Sequence, residues 1–283
     1  MKLCRYGKNG YEKPGMIDAD GRLRDLSKIV DSIGPNELSP RGLKMLTKVK
    51  SESLPLVANH PRMGVPYIGI GKFIAIGLNY SDHAKEAGLP IPTEPVVFMK
   101  ATTCINGPND DVIQPRNSTK LDWEVELGVV IGTKAQYVSE DKALEHVAGY
   151  CVVNDVSERS FQQATSQWDK GKGFDTAGPI GPWLVTTDEI TDPQALELWL
   201  DVNGKRMQSG NTRTMIFSVA KIIAHVSAYM TLMPGDVITT GTPPGVGLGM
   251  KPTPVFLKPG DVMTLGIRGL GEQRQKVVGS AAG

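Results

Sequence analysis

Only three of the 283 residues are cysteine, and Cys4, Cys104 and Cys151 lie far apart with no Cys-x-x-Cys pair. That spacing excludes a disulfide framework and a thiolate zinc site, and it predicts buried thiols in a reducing compartment. No stretch approaches the roughly 18 to 20 uninterrupted apolar residues that a membrane-spanning helix needs. The opening residues, Met-Lys-Leu-Cys-Arg-Tyr-Gly, also lack the apolar run of a secretory signal, so a cytoplasmic location is expected. Neither sign of charge dominates: 31 Lys and Arg stand against 30 Asp and Glu, a net charge of +1. Such a balance predicts neither nucleic acid nor a membrane surface as partner. Histidine is scarce, with four residues. No internal repeat or low-complexity tract is visible.

Glycine (32) and proline (20), by contrast, are plentiful and scattered, as in a chain of many turns and short strands. A small unit is expected over residues 1–68: a strand at 2–6, a turn at Pro14-Gly15, a hairpin at Asp20-Gly21, a helix near 40–50 and an irregular linker near 53–67. From Lys72 onward the character changes. Strands are expected at 73–77, 96–99, 123–131, 148–154, 183–186, 197–202, 236–240 and 261–267, with a two-residue hairpin turn at Asn203-Gly204. Helices are expected at 158–167 and 216–230. Strands outnumber helices and βαβ alternation is missing, so the reading is a mainly-β, α+β chain: a small N-terminal α/β unit (1–68) and a larger catalytic domain (69–283).

Within the larger unit, Asp122-Trp123-Glu124-Val125-Glu126-Leu127 places Glu124 and Glu126 on one face of a strand and Trp123, Val125 and Leu127 on the other. Either the strand is amphipathic with its acids in water, or the two carboxylates are buried around a cation that offsets their repulsion. Asp155 ends the apolar run Val152-Val153-Asn154; a helix cap and a ligand role both fit it. Together Glu124, Glu126 and Asp155 offer three hard oxygens with no imidazole or thiolate beside them. That set suits Mg²⁺, Mn²⁺ or Ca²⁺ and not Zn²⁺ or Cu²⁺.

His83 and Glu86 stand three apart on a short predicted helix that Gly88 and Pro90 end, and so face the same side. A carboxylate on one imidazole nitrogen raises the basicity of the other, as a water-activating base requires; an ordinary surface pair has the same spacing. Lys170 and Lys172 alternate with glycine before Phe174, in a loop that is either solvated or brings a cation to an anionic ligand. Arg159 and Gln162 fall at i and i+3 of the preceding helix. The run Pro234-Gly235-Asp236-Val237-Ile238-Thr239-Thr240-Gly241-Thr242-Pro243-Pro244-Gly245-Val246-Gly247 is a turn, a strand and a glycine-rich loop. It carries no Walker or Rossmann pattern, but it can offer N–H groups and the Thr242 hydroxyl to a carboxylate.

In that order, Gly-Leu-Asn-Tyr-x-x-His-x-x-Glu, Glu-x-Glu, Asn-Asp, Lys-Gly-Phe and Pro-Gly-Asp-Val-Ile-x-Thr-Gly-Thr-Pro-x-Gly-Val-Gly, the chain from about residue 72 to 278 resembles the fumarylacetoacetate hydrolase superfamily. The resemblance implies a mixed β-roll catalytic fold, a homodimer or dimer of dimers, and a divalent metal, commonly Mg²⁺, held by Glu124, Glu126 and Asp155. It further implies a His83–Glu86 dyad that activates water, Lys172 in preference to Lys170 near the reacting oxygen, and Arg159, Gln162, Thr242 and Tyr80 at substrate-contacting positions. The implied activity is hydrolysis of a carbon–carbon bond in a small anionic 2,4-dioxo acid. The nearest likeness is to hydrolases of 2,4-diketo-3-deoxy sugar acids such as rhamnonate and fuconate, which release pyruvate with an acid such as lactate. Ureidoglycolate lyase or oxaloacetate decarboxylase chemistry on the same site is the enzymatic alternative, and a metal–carboxylate binding module without turnover is the non-enzymatic one.

Overall fold

A computed structural model describes residues 1–280; the end of the expected 69–283 unit lies outside the described residues. Among these, ten strands form one mixed sheet, ordered along its main path Leu23–Asp25, Lys13–Ile17, Lys2–Tyr6, Gly178–Thr186, Val147–Asn154, Val125–Ile131, Val237–Thr239, Phe73–Gly77 and Val96–Lys100, with Ile105–Asn106 beside Gly178–Thr186. A second sheet of five strands runs Lys205–Asn211, Glu197–Val202, Val262–Ile267, Gly271–Gly279 and Val112–Gln114. The first strand pairs antiparallel with Gly178–Thr186, Leu3 opposite Leu184, so the N-terminal segment continues the large sheet. No helix of the described residues is long and apolar enough to cross a membrane. All three cysteines are free and buried.

The center of the large sheet is buried on both faces, as the near-continuous Val and Ile runs dictate, with Glu126 and Asn154 among its polar members. Val125–Ile131 and Val147–Asn154 are buried at every position, which removes the solvated-strand alternative for Glu126. One helix covers the fold at Val219–Tyr229, where Val219, Ile222, Ile223 and Val226 repeat at helical spacing and are buried. It starts later than expected because the Ser218 hydroxyl accepts from the Lys221 N–H and sets the cap.

Three local expectations fail for identifiable reasons. Pro14-Gly15 is not a turn but part of the strand Lys13–Ile17, Gly15 lying between Cys4 and Asp25; proline is tolerated there near the strand start. The helix expected over 158–167 shrinks to Arg159–Gln162, and the Thr165 hydroxyl instead donates to the Gln167 carbonyl, a local bond that competes with helix. The glycine–lysine loop folds into a helical turn, Asp169–Lys172, with Lys172 buried.

Several strands fall outside the sequence expectations, among them Ile105–Asn106, Val112–Gln114 and Gly271–Gly279. Gly271–Gly279 turns two glutamines, Gln273 and Gln275, toward the interior beside Val277. Gln273 donates to the carbonyls of Val152 (2.8 Å) and Gly181 (3.0 Å), and Gln275 accepts from Asn154 Nδ2 at 2.9 Å. These bonds satisfy polar groups that burial would otherwise penalise, and they brace the strand Val147–Asn154, which leads directly into Asp155.

Candidate active site

Antiparallel register between the two central strands pairs Val153 with Glu126 and Asn154 with Val125. Just beyond, the Asp155 N–H donates to the Glu124 carbonyl at 2.9 Å, and Asn154 Oδ1 accepts the Glu124 N–H at 3.2 Å. Residues some thirty positions apart in the chain are thereby locked side by side. One carboxylate oxygen from each of Glu124, Glu126 and Asp155 lies within 4.8 Å of the others, and all three residues are buried. Capping of the following helical turn falls to Glu158, which accepts from the Ser160 N–H, so Asp155 is free of that task.

Cations press on the cluster. Lys172 Nζ lies 2.6 Å from Glu124 Oε2 and 2.7 Å from Asp155 Oδ2. Arg159 spans Asp122 Oδ2 at 2.8 Å and Glu124 Oε1 at 2.7 Å. Lys100 Nζ sits 2.6 Å from Asp155 Oδ1 and also donates to the carbonyls of Lys172 and Ala177. Asp122 in turn accepts the N–H groups of Gly247 (2.6 Å) and Leu248 (3.0 Å) from the glycine-rich loop.

Burial raises the Glu124 carboxyl, but Lys172 and Arg159 overcome it and hold the group below the usual carboxylate range. Glu126 goes the other way: burial, and then the charges of Asp155 and Glu124, push it well above, although Thr239 Oγ1 and the Gly241 N–H bind its Oε2. Lys172 and Arg159 are each driven up by their carboxylates against the opposing effect of burial. Four carboxylates, Asp122, Glu124, Glu126 and Asp155, thus meet three cations, Lys100, Lys172 and Arg159, and leave one surplus negative charge when all are ionised. Three convergent hard oxygens that repel one another fit a divalent cation of the Mg²⁺, Mn²⁺ or Ca²⁺ kind.

The dyad is formed. His83 Nδ1 lies 3.0 Å from Glu86 Oε2 on the helix Ser81–Ala87. Glu86 accepts the Gly245 N–H at 3.1 Å, and a side-chain carbon at Gly249 would fall 3.1 Å from its carboxyl carbon. The glycine-rich loop therefore closes tightly on Glu86 and fixes the dyad. With Nδ1 turned to the carboxylate, Nε2 is the atom able to take a proton. Asn79 anchors the approach to this helix: its side chain donates to the carbonyls of Thr240 (2.8 Å) and Phe217 (3.0 Å) and accepts from the Phe217 N–H (2.8 Å).

A cavity of about 680 Å³ is lined by the three carboxylates, His83, Glu86, Lys172, Arg159, Gln162 and Thr242 together. Arg159 and Gln162 are hydrogen-bonded at 3.1 Å, as their spacing predicts. The Thr242 hydroxyl is occupied, donating to the Val125 carbonyl and accepting from Gln208, each at 2.9 Å. Tyr80 is the exception: fully buried at the start of the helix, its backbone bridged to Met215, it does not line the cavity.

The unforeseen members are Lys100, Asp122 and the Thr239–Gly241 clamp. Lys100 had a signal, a lysine closing the apolar strand Val96–Lys100, and burying it is tolerable only against a carboxylate. Lys100→Met is expected to lower stability by roughly 3 kcal/mol, the scale of breaking a buried ion pair, as read by denaturant unfolding. A change below about 1 kcal/mol, within the surface-pair range, would show that Lys172 alone suffices for Asp155.

Residues 72–278 match the family described as Fumarylacetoacetate (FAA) hydrolase C-terminal. A relative from Burkholderia lata, described in general terms as a hydrolase, is 62% identical over 276 residues, 97% of this chain and 98% of its own length. The structure of fumarylacetoacetate hydrolase from Exiguobacterium antarcticum is similar with a TM-score of 0.88 at 38% identity, over 99% of each chain. Maleylpyruvate hydrolase from Sphingobium sp. SYK-6, in complex with manganese(II) and pyruvate, has a TM-score of 0.83 at 27% identity, over 99% of this chain and 100% of that one.

Proposed function

Because the chain belongs to the fumarylacetoacetate hydrolase family, we propose that it is a divalent-metal-dependent hydrolase that splits a 2,4-dioxo acid into pyruvate and a carboxylic acid. The observation that carries this reading is the opening of the Glu124–Glu126–Asp155 cluster and the His83–Glu86 dyad into one cavity. A binding module needs only the first of these.

A divalent cation, Mg²⁺ in the first instance, held by Glu124, Glu126 and Asp155 would supply Lewis-acid polarisation of the 2-oxo acid end. Arg159 and Lys172 keep positive charge on that side of the cavity and offset the carboxylate surplus that would repel an anionic substrate. His83 Nε2, its ring steadied by Glu86, removes a proton from water as the oxygen bonds to the C4 carbonyl carbon. The C3–C4 bond then breaks, its electron pair passing to the pyruvate fragment as an enolate. Lys172 stabilises the developing charge. The proton held on His83 returns to C3, leaving pyruvate and the acid RCOOH. Decarboxylation or lyase chemistry would leave the dyad without a water to activate.

The experiment is pyruvate release from a panel of 2,4-dioxo acids, with and without chelator. Release that stops with chelator and returns with Mg²⁺ or Mn²⁺ is expected. Isomerisation without pyruvate, or glyoxylate from ureidoglycolate with no pyruvate from any dioxo acid, would replace the reading.

A further inference from the structure

Resting on the hydrolase reading for where the acidic head of the substrate lies, we propose that the cavity selects dioxo acids whose acyl group is hydrocarbon, alkyl or aryl, over hydroxylated or charged ones. The strand Val96–Lys100 carries the geometry. Alternate residues of a strand share a face, so Val96, Phe98 and Lys100 point the same way, each pair about 7 Å apart. Lys100 is fixed to Asp155 at the carboxylate cluster, and Phe98 is the next step outward, with Lys172 Nζ 5.4 Å from its ring centroid. Val96 follows at the rim, 37% exposed. The wall thus passes from charge to hydrocarbon within one strand.

A second layer widens that wall. The Trp168 ring meets Phe98 edge-on, centroids 5.3 Å apart. It also lies over Gly77, where a side-chain carbon would be 2.5 Å from Cζ3, and Gly77 pairs with Val96. Glycine at 77 is what lets the indole edge approach the sheet end this closely. Leu89, half-exposed, and Leu248 line the same cavity. Gln162, Gln163 and Thr165 also line the cavity, but a hydroxylated chain laid against the apolar wall would lose water contacts that this wall cannot replace, whereas a hydrocarbon chain gains by covering it. Lys251 also lines the cavity but is exposed, so a charged tail end reaching it stays in water. On this proposal the substrate is an apolar acylpyruvate and not the sugar acid that the sequence resemblance implies.

The test uses 2-oxo acids, which lack the bond to be cleaved, titrated calorimetrically into the Mn²⁺-loaded protein. Three share six carbons: 2-oxohexanoate, 2-oxoadipate and 2-oxo-4,5,6-trihydroxyhexanoate. The alkyl acid is expected to bind at least roughly tenfold more tightly than the other two, and affinity to rise about fourfold per methylene from 2-oxohexanoate to 2-oxooctanoate. Trp168→Ala should flatten that rise; the parent series decides the matter without any variant. Equal or tighter binding of the hydroxylated or dicarboxylic acid, or no measurable binding of 2-oxohexanoate, would overturn the proposal. A steep alkyl series without pyruvate release from any dioxo acid would remove the hydrolase reading and leave the wall's selectivity standing. Robust pyruvate release with a flat series would do the reverse.

Discussion

Glu126→Gln is expected to leave the metal-free protein folded and as stable as its parent, while metal-dependent pyruvate release falls by at least about 10³-fold, several kcal/mol of transition-state stabilisation. The two halves of that result have separate origins. Glu126 is the carboxylate that burial and its acidic neighbors already push toward the neutral form, so a neutral isostere removes the surplus charge of the cluster. Its amide oxygen can still accept from Thr239 and the Gly241 N–H. What it cannot supply is the third anionic ligand. Thermal unfolding with and without Mn²⁺ separates the effects. A ligand at a hundredfold excess over its dissociation constant stabilises the parent by about 2.7 kcal/mol; that increment should vanish in the variant. A variant that keeps both the increment and its turnover would show that Glu126 is no ligand.

The second large effect belongs to His83. Replacing it with Ala should lower kcat by about 10² to 10⁴-fold, the usual contribution of a positioned general base, with Mn²⁺ affinity unchanged. The separation is expected because His83 has no bond to the carboxylate cluster: its partner is Glu86, and Glu86 is held by the Gly245 N–H. Added imidazole should restore part of the rate if the missing function is proton transfer. A parental kcat in His83→Ala would remove the base assignment, and weakened metal binding would mean that the ring contributes to the cluster after all.

Much of this site was legible because two short-range rules hold in any context. Strand periodicity put Glu124 and Glu126 on one face, and helix periodicity joined His83 to Glu86 and Arg159 to Gln162; each pair is found as spaced. Where the outcome depended on distant partners, the residues alone left the choice open. Asp155 could be a cap until Glu158 was seen to do the capping, and burial of Glu126 depends on strands far along the chain. Lys172 could not be preferred over Lys170 by its surroundings, since only the helical turn buries one and exposes the other. Lys100 was passed over because a lysine ending a strand usually meets water, and the carboxylate that draws it inward is 55 positions away. The strand Gly271–Gly279 is hard to read for the converse reason: two of its three inward residues, Gln273 and Gln275, are glutamines that bind backbone and Asn154, and only Val277 is apolar, so the apolar alternation that marks a strand is weak.

Crystals grown with Mn²⁺ and measured at the manganese absorption edge bear most directly on the metal centre. The account predicts one anomalous peak per chain, within about 2.5 Å of an oxygen from each of Glu124, Glu126 and Asp155. A peak elsewhere, or none while Lys172 still bridges Glu124 and Asp155, would contradict it.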